Sequence, residues 1–168
     1  MIIPNRLNKG DKIALIATSR HISKNELGPA IKIIDSWGLK IKFGKNIFKI
    51  KNQFAGDDFQ RASDLQEALD DNSIKAILCV RGGYGTARII DMINFSKFLE
   101  NPKWVVGYSD ITVLHNHINN LGVASIHASM PINFQENSEK SLGSLYNSLF
   151  NISNIISFQP TTLNKTGS

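Results

Sequence analysis

The chain has 168 residues, of which 42% are hydrophobic and 20% are charged, and its formal net charge at pH 7 is +5. This composition is typical of one folded globular domain and argues against an intrinsically disordered chain. The single cysteine, Cys79, excludes an intrachain disulfide. No apolar run is long enough to span a bilayer and the first residues lack a signal-peptide core, so we expect a cytoplasmic protein without membrane association.

Apolar runs bounded by turn residues alternate along the chain with segments in which apolar residues recur at helical spacing. The predicted strands are residues 12–17, 39–43, 76–80, 104–108, 124–127 and 155–158. The predicted helices carry the apolar residues Leu27, Ile31, Ile34 and Trp37; Ala62, Leu65 and Leu69; Ile89, Ile90 and Ile93; Ile111, Leu114, Ile118 and Leu121; and Leu142, Leu145 and Leu149. Asp57 or Asp58 caps the second helix, and Thr86 opens the third.

Strands that alternate with helices predict an α/β fold with a mainly parallel sheet and helices on both faces. In such sheets, functional groups collect beyond the carboxyl ends of the strands. The loops to examine are therefore residues 18–20, 81–85, 107–110 and 127–131. The polar segment 161–168 is interpreted as a chain leaving this single domain.

The five lysines between residues 40 and 51 form a basic stretch, and six acidic residues follow between positions 57 and 71. Phe43 and Phe48 lie among the lysines, so a nucleic-acid surface is one interpretation. The neighbouring acids cancel much of the positive field, which favours a solvated strand edge beside an acidic helix face. We therefore expect no nucleic-acid partner.

Ser109, in the segment GYSD at 107–110, lies between an apolar strand and an amphipathic helix. A serine on such a turn can expose its hydroxyl above the sheet, and the next amide, of Asp110, can stabilise an oxyanion. The GxSxG pattern of α/β-hydrolases is incomplete because the fifth position is Ile111. The alternative is that Ser109 is only the N-cap of its helix, and the local sequence by itself favours this alternative.

The segment RGGYG at 81–85 has three glycines in four positions after the third predicted strand. It does not complete a dinucleotide-binding fingerprint, because the pattern ends in Arg88 and follows the wrong strand. Two interpretations stay open: a tight turn that packs a helix against the sheet, or a loop that supplies an oxyanion donor to Ser109. Arg81 and Arg88 flank the loop and could bind a substrate carboxylate or form ordinary salt bridges.

The histidines and the cysteine offer no metal site. His127 ends the fifth predicted strand and could be a general base, although a lone histidine there is more often structural. His115 and His117 are two residues apart on one helix and do not share a face. Cys79 lies inside an apolar strand, where a thiol behaves as a small hydrophobe. Without a cysteine–histidine cluster of ligand spacing, we expect no metal.

Taken together, these segments resemble the amino-terminal domain of the LD-carboxypeptidase family of serine peptidases. The resemblance is carried, in order and spacing, by GDKIALIA at 10–17, FAGDDFQRASDL at 54–65, RGGYGTAR at 81–88 and PKWVVGYSDIT at 102–112. It implies a flavodoxin-like or class I glutamine amidotransferase-like domain over residues 1–160. Residues 161–168 would then be a linker or tail toward a carboxy-terminal domain absent from this chain.

By this resemblance Ser109 is the nucleophile, and the amides of Asp110 and Gly83 form the oxyanion hole. The residues expected to bind substrate are Gly82, Tyr84, Arg81, Arg88 and His127. In the family, a glutamate and a histidine from the carboxy-terminal domain assist the serine. At 127–130 this chain reads HASM, where the family more often reads HGPM.

The resemblance implies a carboxypeptidase that releases a terminal D-amino acid from an L,D peptide bond of murein tetrapeptide-like substrates, in cytoplasmic peptidoglycan recycling. It implies no metal and no organic cofactor. The expected partners are the small peptide and the missing domain, and a homodimer is one candidate assembly. The alternative is a non-catalytic flavodoxin-like module that binds a small anionic ligand. We expect the chain alone to fold but to be nearly inactive, because a serine without a positioned base is a weak nucleophile.

Overall fold

The computed structural model describes residues 1–150, which form one parallel sheet and the helices that cover it. The strands are β1 (Lys12–Ile16), β2 (Lys40–Phe43), β3 (Ile74–Cys79), β4 (Trp104–Gly107) and β5 (Ile126–His127). The α-helices are α1 (Lys24–Ser36), α2 (Asp58–Asp70), α3 (Ser96–Glu100), α4 (Thr112–Asn120) and α5 (Glu139–Phe150). None of the helices in this part of the chain is long and apolar enough to cross a membrane.

The sheet has the strand order β2-β1-β3-β4-β5, and every pair of neighbours is parallel. The central strands β1 and β3 pair from Lys12 beside Ile74 to Ile16 beside Cys79. Their apolar runs are buried because helices cover both sides of the sheet. The predicted α/β fold with a parallel sheet is confirmed, and the carboxyl ends of all five strands meet at one edge.

Successive residues of β3 contribute to two separate cores, as expected when a strand is covered on both faces. Leu78 packs in the core that contains residues of α1 and α5. Ile77 packs in the core that contains residues of α2, α3 and α4. The helices therefore lie in two layers, one on each face of the sheet.

The first two helices begin with capping boxes. Ser23 accepts a hydrogen bond from the amide of Glu26, whose carboxylate accepts one from the amide of Ser23. Asp57 and Gln60 make the same reciprocal pair at the start of α2. Of the two predicted caps, the structure selects Asp57.

The predicted helix that opens at Thr86 is wrong. Two 3₁₀ turns, Thr86–Arg88 and Ile90–Met92, replace it, and the short helix α3 follows. Asn94 follows these turns, and its amide donates to the side chain of Gln66 on α2 at 2.8 Å. The side chain of Asn94 in turn accepts from the amide of Ser96 at 2.9 Å, so this residue starts a new helix instead of extending the old one.

The fifth strand is shorter than predicted: it begins at Ile126, not at residue 124. The predicted strand at 155–158 and the predicted tail at 161–168 lie outside the described residues.

Arg61 joins α2 to the loop that follows β1. Its side chain is fully buried, with a residue exposure of 1%. The guanidinium donates to the carbonyl oxygens of Thr18 and Gly56, both at 3.0 Å, and to the carboxylate of Asp58 at 2.6 Å. The ring of Phe54 lies 4.7 Å from the guanidinium carbon. Arg61 therefore holds the carboxyl end of β1 against the start of α2.

We predict that Arg61→Ala lowers the free energy of unfolding by about 2–4 kcal/mol, because it leaves buried carbonyl oxygens without a donor. Urea denaturation followed by circular dichroism measures this change. Arg88→Ala is the matched control: Arg88 binds the same Asp58 carboxylate but is exposed, so its loss is expected to be nearly neutral. Equal losses in the two variants would contradict the role given to Arg61.

Candidate active site

Ser109 lies on the turn between β4 and α4, at the carboxyl edge of the sheet. Its backbone has φ +60°, a left-handed conformation that non-glycine residues rarely adopt, and the residue is exposed. A Cβ placed on Gly107 would lie 2.9 Å from the branched side-chain carbons of Ile111, so only glycine fits there. Ile111 is buried and packs over Gly107, which explains why the fifth position of this motif is not a second glycine.

The glycine loop that follows β3 lies directly beside this turn. A Cβ placed on Gly82 would lie 3.2 Å from the Cβ and 3.4 Å from the Oγ of Ser109. The next residue, Gly83, is exposed and has φ +130°, where a side chain would be strained. The loop backbone thus approaches the serine more closely than residues with side chains would allow.

The carboxylate of Asp110 fixes the position of the glycine loop. Its Oδ2 accepts hydrogen bonds from the hydroxyl of Ser19, by a short contact, and from the amide of Thr86 at 2.9 Å. The hydroxyl of Thr86 lies 2.9 Å from that of Thr18 and 3.2 Å from that of Ser19. This network joins the loops after β1, β3 and β4, because each contributes at least one of its groups.

His115, on α4, binds the backbone at the end of β4. It is buried, with Nε2 at 2.9 Å from the carbonyl oxygen of Gly107 and Nδ1 at 2.8 Å from the hydroxyl of Ser125. Nε2 must donate to the carbonyl, so Nδ1 accepts from the serine hydroxyl, which itself receives a hydrogen bond from Asn119. Burial lowers the pKa of His115 below its ordinary value and favours this neutral form.

Ser109 lines a cleft with a volume of about 260 Å³. Its lining includes Arg20, Arg81, Gly82, Gly83, Tyr108 and Asn133. No acidic side chain of residues 1–150 contributes to this lining, so the cleft is positively charged. An anionic ligand is therefore favoured there.

The predicted substrate-binding residues are only partly brought together. Arg81 and Gly82 line the cleft with Ser109, and Arg81 also donates to the carbonyl oxygen of His21 at 3.2 Å. Tyr84 is exposed and lies near Phe54, with ring centroids 6.2 Å apart.

Arg88 is not brought to the cleft. Its Nε and Nη2 donate to both carboxylate oxygens of Asp58, the shortest contact being 2.7 Å, on a different part of the surface. The expectation that Arg88 binds substrate is corrected here: the structure pairs it with an acid from α2, which is the salt-bridge alternative.

His127 lies at the end of β5 and is exposed. Its ring is 6.2 Å from the ring of Tyr108 and 6.1 Å from that of His115. It lines a neighbouring cleft of about 390 Å³ instead of the one that contains Ser109. Tyr108 and Asn133 line both clefts and are joined by a hydrogen bond of 3.0 Å from the phenol to the amide oxygen.

Within the described part of the chain, no three histidine, cysteine or acidic side chains converge into a group that could hold a metal ion. Cys79 is fully buried in β3, and burial raises its pKa to about 12. Its thiol is therefore not a nucleophile at neutral pH.

Three polar residues of the cleft were missed by reasoning from the sequence: Arg20, Tyr108 and Asn133. The available signal was their position, because each lies in or just after a loop at the carboxyl ends of the strands. Neither the spacing nor the residue types distinguished them from surface groups.

Comparison with known proteins places this arrangement in a family. Residues 13–128 match the sequence model of the LD-carboxypeptidase N-terminal domain. A probable murein peptide carboxypeptidase of Bacillus subtilis strain 168 is 40% identical over 128 residues, which are 76% of this chain and 40% of that protein. The chain thus spans about two fifths of the length of this curated relative.

Two solved structures share the fold. An MccF-like protein from Bacillus anthracis strain Ames superimposes with a TM-score of 0.81 and 28% identity, over 89% of this chain and 47% of that one. A muramoyltetrapeptide carboxypeptidase from Oxalobacter formigenes superimposes with a TM-score of 0.74 and 26% identity, over 82% and 47% of the two chains.

We predict that acidification destabilises the protein through His115. Its pKa is lower in the folded state than in the unfolded chain, so the unfolded chain binds more protons as the pH falls. The stabilising contribution is complete above the pKa of an unfolded histidine, about 6.5, and is lost as the pH falls through the lower folded pKa. Urea denaturation at a series of pH values from 7.5 to 5 measures the slope.

His115→Gln is expected to flatten this slope, whatever its effect on stability at pH 7.5. His117→Gln, on the same helix, is the control and is expected to leave the slope in place, because His117 takes no part in the buried network. A slope that survives His115→Gln unchanged would contradict the assignment.

Proposed function

Because the chain belongs to the LD-carboxypeptidase family, we propose that it carries the nucleophile of a serine carboxypeptidase. The proposed substrate is a murein tetrapeptide-like peptide, and the proposed reaction cleaves an L,D peptide bond to release a terminal D-amino acid. The murein-related names of its relatives support this substrate class. We also propose a place in peptidoglycan recycling and a cytoplasmic location.

The observation that carries the proposal is the conformation of Ser109. An exposed serine at φ +60° on a turn between a parallel strand and a helix has its hydroxyl held above the sheet edge. A left-handed backbone at a non-glycine residue costs about 1–2 kcal/mol. Strain of this kind is concentrated at functional sites, because it is retained only where a precise direction of the side chain is needed. A serine that only caps a helix does not require this left-handed backbone, because N-cap residues typically have extended backbone angles.

In the proposed mechanism, the Oγ of Ser109 attacks the scissile carbonyl carbon and its proton passes to a base. The amides of Asp110 and Gly83 donate to the oxyanion of the tetrahedral intermediate; Gly83 qualifies because it lines the same cleft as Ser109. The C–N bond then breaks, the amine of the D-amino acid takes a proton, and the rest of the peptide stays on Ser109 as an ester. Water hydrolyses the ester and restores the serine.

We propose that the base comes from outside the described residues. Among residues 1–150, no imidazole or carboxylate forms a hydrogen bond with the hydroxyl of Ser109, and His127 lines the neighbouring cleft. We propose that a glutamate and a histidine of a carboxy-terminal domain activate the serine. The greater length of the matched relatives is compatible with such a domain.

The remaining cleft residues receive binding roles. We propose that Arg81 and Gly82 contact the peptide beside Ser109, and that Tyr84 and His127 contact it at the margins, where both are exposed. A homodimer is proposed as the assembly, and its existence does not alter the roles within one chain.

The test uses two proteins: the 168-residue chain, and a hybrid in which this chain is followed by the part of the Bacillus subtilis relative that lies beyond the matched region. D-Alanine released from an L,D-linked murein tetrapeptide is measured for each. We predict turnover by the hybrid and almost none by the chain alone, because only the hybrid has a base. Ser109→Ala in the hybrid is expected to reduce turnover by at least about 10³-fold.

Ser36→Ala is the matched control, since Ser36 is an exposed serine at the far end of α1 and is expected to leave turnover unchanged. Circular dichroism establishes that each protein is folded. A folded hybrid that binds the peptide without cleaving it would favour the alternative function, a non-catalytic binding module. Full turnover by the chain alone, abolished by Ser109→Ala, would contradict the proposed source of the base.

A further inference from the structure

Arg20 is a charged side chain of the Ser109 cleft, and it forms no ion pair within the described part of the chain. It follows β1, is exposed, and lines the cleft together with Ser109. No acidic group of residues 1–150 lies within salt-bridge distance of its guanidinium. An unpaired guanidinium that faces a cleft is free to bind an anion there.

The other arginines around the glycine loop are already engaged. Arg61 is buried and donates to the carboxylate of Asp58. The same carboxylate accepts hydrogen bonds from two nitrogens of Arg88. Arg81 donates to the carbonyl oxygen of His21 and lies 3.4 Å from the carboxylate of Glu26. Arg81 is thus tied through Nη1 to the α1 side of the cleft, whereas the guanidinium of Arg20 has no ion-pair or hydrogen-bond partner among residues 1–150 and can turn wholly to a ligand.

The glycine loop is shaped around the stem of Arg20. A Cβ placed on Gly83 would overlap Cγ and Cδ of Arg20, so the loop accepts this side chain only because residue 83 is glycine. The backbone on both sides of Arg20 is also held: the amide of His21 donates to Gln53 at 3.1 Å, and the carbonyl of Ser19 accepts from Ala55 at 3.0 Å. The stem is thus positioned while the charged end remains free.

We propose that Arg20 binds the free terminal carboxylate of the peptide, and this inference rests on the proposed function. Consecutive Cα atoms are about 3.8 Å apart, so the carboxylate of a one-residue leaving group lies close to the scissile carbonyl. An arginine that shares one cleft with the nucleophile, across the Gly82–Gly83 backbone, is within reach of that carboxylate. Guanidinium and carboxylate match in a planar, two-bond geometry.

This assignment explains how the site would select the end of a chain. A peptide that continues beyond the released residue, or that ends in a carboxamide, has no charge to offer Arg20. It would also leave the guanidinium unpaired beneath it. Arg20 would therefore determine that one terminal residue is removed, whereas Ser109 performs the chemistry.

The test measures binding to the full 168-residue chain by ¹⁵N-correlated NMR. The probes are N-acetyl-L-lysyl-D-alanine and its C-terminal carboxamide, which differ only in the terminal group. We expect the carboxylate form to shift the amide resonances of Gly82, Gly83 and Ser109, and to bind about tenfold more tightly than the carboxamide.

Arg20→Gln is expected to weaken binding of the carboxylate form to the level of the carboxamide, and Arg20→Lys to retain an intermediate preference because it keeps the charge but loses the second hydrogen bond. Arg88→Gln is the matched control and is expected to keep the full preference, since Arg88 is paired with Asp58 outside the cleft. Unaltered preference in Arg20→Gln, equal binding of both peptides by the unmodified chain, or no shift with either peptide would each overturn the assignment.

Failure of this inference can be told apart from failure of the proposed function. If the hybrid cleaves the tetrapeptide through Ser109 but Arg20→Gln keeps the carboxylate preference, only the assignment of Arg20 is wrong. If the preference depends on Arg20 but no hydrolysis occurs, the carboxylate site stands and the peptidase proposal fails.

Discussion

The carboxylate of Asp110 accepts hydrogen bonds from the hydroxyl of Ser19 and the amide of Thr86, and these contacts join the loops after β1, β3 and β4 at one edge of the sheet. Each loop contributes a different part of the candidate site. The first carries Arg20, the second carries the glycines, and the third carries Ser109. Because β1, β3 and β4 are neighbours in the sheet, the carboxylate of Asp110 can bind groups of the other two loops. These contacts fix the positions of the three loops relative to one another.

The parallel sheet makes this convergence possible. In a parallel sheet the carboxyl ends of all strands lie at the same edge, so loops far apart in sequence become neighbours. β1, β3 and β4 are adjacent in the sheet, and helices of both layers support them from the sides. Two contacts hold the end of β4 beside the strained backbone of Ser109: Ile111 packs over Gly107, and His115 binds the Gly107 carbonyl.

Much of this arrangement could be predicted from the sequence, because it depends on local patterns. Apolar runs and helical spacing predicted the order of strands and helices, and the position of GYSD after an apolar strand predicted where Ser109 would lie. The third helix was predicted wrongly: two 3₁₀ turns form in its place, and the chain after them is bound at Asn94 by Gln66 of α2, a contact that no local pattern contains. The same limit applies to the arginines: Arg88 pairs with Asp58 on α2, 30 residues away, whereas Arg20 pairs with no acid among residues 1–150.

The central claim is that the amides of Asp110 and Gly83 can both donate to the oxygen of the carbonyl group whose carbon Ser109 attacks. A crystal structure of the 168-residue chain with a peptide boronic acid tests it most directly. The boron of this compound replaces the scissile carbonyl carbon of the L-residue, bonds to a nucleophilic serine and so mimics the tetrahedral intermediate. We predict a bond from the Oγ of Ser109 to boron, with one boronate oxygen 2.7–3.1 Å from both amide nitrogens, about the distance that oxyanion donors require. A boronate bound away from Ser109, or one whose oxygens reach neither amide, would contradict the account.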